Sequence, residues 1–288
     1  MRTLHSNRQV SPVRAGSTSA QRATPILHVW LWLVGGAVLF FAVPYVGTDV
    51  LGLQPDLYYL GYFTVAVVWF GAFLATYRRE LHDLWRSNLT WSLVVGAVAG
   101  LGVAVIVFGS AGTDHPDGWR WWFEIGWRGV VYGSVDTLTL FVFPAAVAYL
   151  LMHGDRTGAA RKLGYGALVL ALSLLVSASY HLGYAEYRDS DLRSPLIGTV
   201  MSDSAAVLTG NPAGAFLTHG LAHVSAVVHQ EEGGPTHMLP PGASTDYPSH
   251  GDGDLAAGLA GLWLLGAAGV LTVVVRRHRN SVEARGRR

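Results

Sequence analysis

The sequence alternates long apolar segments with short polar ones. Six stretches of about 20 residues are apolar enough to cross a bilayer, whose hydrocarbon core a helix of that length spans. They are Ile26–Val46, Leu57–Thr76, Leu89–Phe108, Gly129–Leu151, Leu163–Tyr184 and Leu255–Val275. The pattern predicts an all-α protein, a polytopic transmembrane helical bundle with six spans.

The segment between the fifth and sixth spans is too long and too apolar to be a simple loop. It contains two candidate helices, Pro195–Leu208 and Pro212–His229, and each begins with a proline, which suits the first turn of a helix. We predict that 195–229 forms a helical hairpin in the bilayer, either re-entrant or adding two spans. The Gly-, Pro- and His-rich residues 230–254 are expected to form an irregular outer loop.

Basic residues divide the chain into a membrane domain and two tails. Of the 20 Lys and Arg residues, 16 lie in the tails 1–25 and 276–288 or in the short loops after the second and fourth spans. Because Lys and Arg concentrate on the cytoplasmic side, we expect a multi-pass protein of the plasma membrane with both termini in the cytoplasm. The first tail is polar and predicted to be disordered, and 26–275 forms the transmembrane helical domain.

Composition limits the partners and the kinds of metal site that the chain can have. Charged residues make up 14% of the chain, below the roughly 25% of a soluble domain, and the net charge is +1. The expected partner is therefore the lipid bilayer, and nothing indicates a nucleic acid. The chain has no cysteine, which excludes disulfides and thiolate metal sites. Any metal must be bound by His, Asp or Glu.

Ionisable residues inside a bilayer are costly and usually functional. Glu124, Arg128, Tyr132 and Asp136 recur at intervals of four, which places them in one stripe along the fourth span. Glu124 and Arg128 can form an ion pair near the outer surface. Asp136 lies about 12 Å deeper than Arg128, where it must be paired, protonated or exposed to a wet cavity. The stripe is equally compatible with a structural salt bridge and one buried, hydrogen-bonded acid.

Three histidines are further candidates. His219 and His223 are four residues apart on an apolar helix and therefore share a face, as a metal or acid/base site requires. His181 occupies the outer turn of the fifth span, where packing is the common role of a single histidine. Together with Glu124 and Arg128 they map to the outer third of the membrane on three elements, which favours one polar cavity open to the outside.

The order Glu124-x-x-x-Arg128-Gly, then His181, then His219-x-x-x-His223 resembles the CAAX protease and bacteriocin-processing superfamily (CPBP, also called Abi), whose members are intramembrane peptidases. Its signatures are paired glutamates before an arginine, a Phe-x-x-x-His and a His-x-x-x-Asn/Asp. Here Phe123, Ser177 and His223 stand at positions where the family has Glu, Phe and Asn or Asp. The resemblance implies a divergent member with degenerate motifs, active or inactive.

The resemblance also implies the roles of the site residues. Glu124, or Asp136 if the cavity is deep, would be the general base acting on a water that attacks a peptide bond of a membrane-associated substrate. His181 and His219 would orient that water or, with His223, hold a divalent metal such as zinc. His223 would otherwise stabilise the oxyanion, and Arg128 would fix the carboxylate.

Two other classes of function remain open. One is a His-based metal- or haem-binding membrane protein or transporter; for haem, only His181 paired with His219 or His223 has partners at matching depth. The other is a membrane protein without enzymatic activity. Substituting Glu124 and His219 separately distinguishes a peptidase from a non-enzymatic protein, and a Soret band would establish haem.

Overall fold

A computed structural model describes residues 26–112, 114, 117–189, 192–230 and 266. Over these residues the chain is all-helical, which confirms that the protein is all-α. The two tails, the predicted sixth span Leu255–Val275 and all of the predicted outer loop except Gln230 lie outside the described residues, apart from the single residue Gly266.

Ten helices follow one another along the described chain. They are α1 (Ile26–Val50), α2 (Pro55–Tyr77), α3 (His82–Arg86), α4 (Leu89–Phe108), α5 (Trp119–Leu151), α6 (Gly158–Leu182), α7 (Ala185–Asp189), α8 (Arg193–Ser202), α9 (Ser204–Thr209) and α10 (Ala215–His229). Five of them, α1, α2, α4, α5 and α6, are long and apolar enough to cross a membrane. Helices therefore form at the first five predicted spans, and the chain has the features of an integral membrane protein.

Helix α5 is the central helix and begins earlier than predicted. The sequence pattern predicts a span from Gly129 preceded by a Trp-rich interfacial segment, but one continuous helix runs from Trp119 to Leu151. Wide π-helical turns occupy Ile125–Val131 and Leu138–Val142, and turns of this kind often occur at functional sites. The short stretch between them carries Asp136.

The predicted hairpin is more broken than its hydropathy indicates. Its first arm is divided at Asp203 into α8 and α9, and a 3₁₀ turn over Pro212–Gly214 precedes α10. The turn between the arms contains Gly210, whose φ of 78° is a left-handed conformation that favours glycine. The Asn211 side chain caps the next turn through the Ala213 amide. No single piece reaches the roughly 20 residues that a span needs, so entry of the hairpin into the bilayer stays a prediction.

Glycines place α10 between α4 and α5. A Cβ at Gly96 would lie 2.0 Å from the Gly214 carbonyl oxygen, and one at Gly100 would lie 2.7 Å from that of Leu217. The two glycines of α4 therefore let the backbone of the hairpin approach closely, as small residues four apart do in membrane helices. On the other side, a Cβ at Gly133 of α5 would lie 3.2 Å from Cβ of His223. Small residues on both neighbours thus bring the histidine face of α10 against α5.

Candidate functional site

Two histidines face each other inside the bundle. His219 and His223 are one turn apart on α10, with their Nε2 atoms 2.9 Å apart and their ring planes at 86°. Both side chains are buried, with 6% and 4% of their surface exposed. At this distance the Nε2–H of one neutral ring donates to the lone pair of the other. The two Nε2 atoms therefore point into the same small volume.

Asp136 of α5 faces this pair. One carboxylate oxygen, Oδ2, lies 3.9 Å from Nε2 of His219, while Oδ1 accepts a 2.6 Å hydrogen bond from the Tyr62 hydroxyl of α2. Each of the three buried residues Asp136, His219 and His223 offers one atom that can bind a metal. These three atoms all lie within 4.8 Å of one another. Two imidazoles and a carboxylate at such separations can bind a transition-metal ion.

The histidine rings are held from several sides. Nδ1 of His219 lies 3.4 Å from the Ser202 hydroxyl of α8, and its ring meets Phe141 edge-on at 4.8 Å between centroids. The ring of His223 packs at 5.1 Å against Tyr132. A group that bonds the second nitrogen of a ligating histidine fixes the ring and its tautomer. Ser202 is in position to do this for His219.

Buried tyrosines extend the polar network from Asp136. Tyr132 lies one turn before Asp136 on α5. The Tyr132 hydroxyl bonds that of Tyr180, which lies 2.7 Å from the Tyr184 hydroxyl; Tyr184 in turn lies 2.7 Å from the hydroxyl of Tyr58. The Tyr62 hydroxyl of α2 is the donor that fixes the orientation of the Asp136 carboxylate.

His181 lies at the edge of this network. It is half-buried in the last turn of α6, and its Nδ1 lies 2.8 Å from the Ser177 carbonyl oxygen, so this nitrogen donates to its own helix. Its ring meets Tyr187 edge-on at 4.8 Å. Within the described part of the chain, the group of potential metal ligands consists of Asp136, His219 and His223, so His181 is not part of it.

Glu124 and Arg128 belong to a second cluster nearer the start of α5. The guanidinium of Arg128 donates two hydrogen bonds, of 2.9 and 3.0 Å, to the carboxylate of Asp56 in the first turn of α2. Glu124 lies farther from it, at 3.6 Å, and its other oxygen accepts a 3.5 Å contact from the Gln230 amide. All three charged side chains are buried. The cluster is an ion-pair network with one arginine between two carboxylates.

The five predicted site residues therefore separate into three places. His219 and His223 meet at Asp136, Glu124 and Arg128 meet at Asp56, and His181 lies beside the tyrosines. Glu124 precedes Asp136 by 12 residues, which corresponds to about 18 Å along a helix.

Sequence reasoning missed Asp56 and Tyr62. Asp56 carried a usable signal, because it follows Pro55 at the start of an apolar span and is predicted to lie at the same outer surface as Arg128. Tyr62 carried none, since a tyrosine inside an apolar helix is an ordinary core residue. Comparison with known proteins adds no further assignment: no family model, curated protein or solved structure matches the chain.

Proposed function

We propose that this membrane protein binds a divalent metal ion at Asp136, His219 and His223 and uses it to hydrolyse a bond in a membrane-associated substrate. The observation that carries the proposal is the convergence of three ligand atoms within 4.8 Å, from two helices, at a buried point. Buried ionisable groups at this depth are rarely present without a role.

Zinc is the ion that the ligand set favours. Catalytic zinc sites use three protein ligands and keep a fourth position for water or substrate, and His and Asp are both common among them. Zinc in such a site lowers the pKa of its bound water to about 7 and polarises a carbonyl group. The same three ligands also suit Fe(II). The metal content of protein purified from cells that were supplied with both ions decides between zinc and iron.

The surrounding residues would serve to hold the ligands. The Tyr62 hydroxyl donates to Oδ1 of Asp136 and would leave Oδ2 directed at the ion. Ser202 beside Nδ1 of His219 would keep Nε2 of that ring as the ligating atom. Hydrolysis then adds the hydroxyl of water to the carbonyl carbon and a proton to the leaving group.

The resemblance to CAAX-type peptidases makes a peptide bond the first substrate class to test. In our proposal Asp136 and the two histidines carry the chemistry. Glu124, about 18 Å away along α5 and linked to Arg128 and Gln230, would have a structural role. This differs from the assignment that the family motifs imply, where Glu124 is the general base.

The test is hydrolysis of fluorogenic membrane-spanning peptides by the full chain in lipid nanodiscs. We expect activity that a chelator removes and zinc restores, and that His219→Gln and His223→Gln abolish. His82→Gln is the matched control, because His82 is exposed and pairs with the neighbouring Asp83. Activity that survives the chelator and both site variants would contradict the proposal.

Deep burial of the ligands favours a second candidate, a protein that transports or stores the metal ion. The three residues are 3% to 6% exposed, and a bare ion reaches such a point more easily than a peptide does. Zinc flux into proteoliposomes, lost in His223→Gln, together with an absence of hydrolysis, would support this candidate over the hydrolase.

A further inference from the structure

A basic cleft lies at the opposite end of the bundle from Asp56 and Arg128, where α4 and α6 begin. Its volume is about 190 Å³, and its lining includes Asn88, Arg156, Lys162, Tyr165 and Gly210. The charge distribution of the chain predicts that this end faces the cytoplasm. The cleft is remote from the candidate metal site, and its interpretation does not depend on the metal.

Arg156 is fixed in the wall of the cleft. One Nη donates to the Gly210 carbonyl oxygen and the other, at 3.0 Å, to the Ser87 hydroxyl. The guanidinium carbon lies 4.8 Å and 5.4 Å from the ring centroids of Tyr149 and Tyr165. These contacts orient the side chain without neutralising it. Among the described residues no carboxylate forms an ion pair with Arg156, although the side chain is half-buried.

Asp155, the acidic residue next to Arg156 in the sequence, has other partners. Asp155 accepts hydrogen bonds from the Thr157 amide and hydroxyl, at 3.0 and 2.7 Å, and pairs with Arg161 at 2.8 Å. The Thr157 amide is the main cause that lowers the pKa of Asp155 below its ordinary value, so it stays ionised and committed to Arg161. Arg156 and the exposed Lys162 are thus left as two positive charges at one cleft.

Exposed leucines lie at and beside this cleft. Leu208 at the end of α9 lines it and is 73% exposed, and Leu163, which follows Lys162 in the sequence, is 75% exposed. In a membrane such side chains contact acyl chains, whereas arginine and lysine at this depth attract negatively charged head groups. Positive charge beside exposed leucines matches a molecule with an anionic phosphate and hydrocarbon tails.

We propose that the cleft between Arg156 and Lys162 binds the phosphate group of an anionic phospholipid. The fixed guanidinium provides donors of the geometry that phosphate oxygens accept, and Lys162 adds a mobile ammonium at the rim. The lipid tails lie along Leu163 and Leu208. A bound lipid would join the start of α6 to α9 and stabilise the first arm of the hairpin.

The experiment measures lipid binding to the full chain in detergent by native mass spectrometry. The probes are phosphatidylglycerol, zwitterionic phosphatidylcholine and inorganic phosphate as a competitor. Lys162→Gln is the test variant, and Arg79→Gln is its matched control, because both remove one exposed positive charge from the end of the bundle that is predicted to face the cytoplasm and only Lys162 lines the cleft. We expect Lys162→Gln to weaken phosphatidylglycerol binding about fivefold, the effect of one basic residue near an anionic surface, and Arg79→Gln to change it less than twofold.

Three results would overturn the assignment. Equal weakening in both variants would mean that general surface charge, not the cleft, attracts the lipid. Equal binding of phosphatidylcholine and phosphatidylglycerol would mean that lipid charge is not recognised. Displacement of phosphatidylglycerol by millimolar inorganic phosphate would assign the cleft to free phosphate and not to a lipid.

Discussion

Two buried polar clusters on α5 differ in how their charges are satisfied. In the first, Arg128 donates two short hydrogen bonds to Asp56 and lies near Glu124, so opposite charges meet within the protein. In the second, Asp136 faces two imidazole Nε2 atoms, and its Oδ2 is 3.9 Å from that of His219, too far for a hydrogen bond. In the first cluster the arginine and the carboxylates neutralise one another, whereas the second brings together three atoms that can each bind a metal ion.

The largest expected effect comes from removing the cation of the first cluster. Arg128→Ala would leave the buried carboxylates of Asp56 and Glu124 without their counter-ion, and we expect it to destabilise the fold by about 3–5 kcal/mol. Thermal unfolding of the full chain in detergent measures this. Asp56→Asn combined with Arg128→Gln should destabilise less than the sum of the two single variants, because the pair is removed together. A loss below about 1 kcal/mol for Arg128→Ala would mean that the cluster is not structural.

Removing a histidine should affect the second cluster differently. His223→Gln is expected to abolish stabilisation by zinc, which for a single site is about 2.7 kcal/mol when free zinc is at 100 times its dissociation constant. The melting temperatures with and without zinc measure the effect, with His82→Gln as the control that keeps it. Full zinc stabilisation in His223→Gln would place the metal elsewhere in the chain.

A smaller effect on zinc binding should follow from removing the hydrogen bond that holds the Asp136 carboxylate. Tyr62→Phe removes the 2.6 Å hydrogen bond to its carboxylate and should weaken zinc binding about tenfold, a typical effect of a residue that supports a ligand. Tyr165→Phe is the matched control: it also removes a buried hydroxyl, one that donates to the Ala145 carbonyl oxygen at 3.3 Å. Calorimetric titration with zinc compares the two. Equal losses would mean that zinc affinity reports general stability and not the position of Asp136.

The smallest effect is expected for Glu124→Gln. Its contacts with Arg128 and Gln230 are long, at 3.6 and 3.5 Å, and Asp56 still neutralises Arg128, so we expect a loss of about 1 kcal/mol or less and unchanged zinc affinity. The CAAX-type interpretation predicts instead that this substitution removes hydrolytic activity. Activity lost in Glu124→Gln with zinc binding intact would favour the family assignment over ours.

Hydropathy was enough to predict the all-helical membrane fold, because a bilayer requires long apolar helices. It misplaced the start of α5, since Trp119–Gly129 contains charged and aromatic residues that resemble an interfacial segment. It also missed the break at Asp203, where neither glycine nor proline marks the boundary.

The candidate site was only partly predictable, because a sequence pattern shows which residues share a face of one helix but not which helices meet. The spacing of His219 and His223 predicts a shared face, which is a property of one helix, and the structure places their Nε2 atoms 2.9 Å apart. The approach of Asp136 depends on Gly133 of α5 packing against α10, a contact between helices that no spacing within one helix reveals. For the same reason, Arg128 was paired with Glu124 on its own helix, although Asp56 on another helix is the closer partner.

The most direct test of the central claim is the X-ray absorption spectrum of the zinc-loaded protein at the zinc edge. We predict two imidazole nitrogens and additional oxygen ligands at about 2.0–2.2 Å, with one imidazole lost in His223→Gln. A third imidazole would contradict the assignment of Asp136 and favour His181 as a ligand. A six-coordinate spectrum that does not change in His223→Gln would show that zinc does not bind at this site.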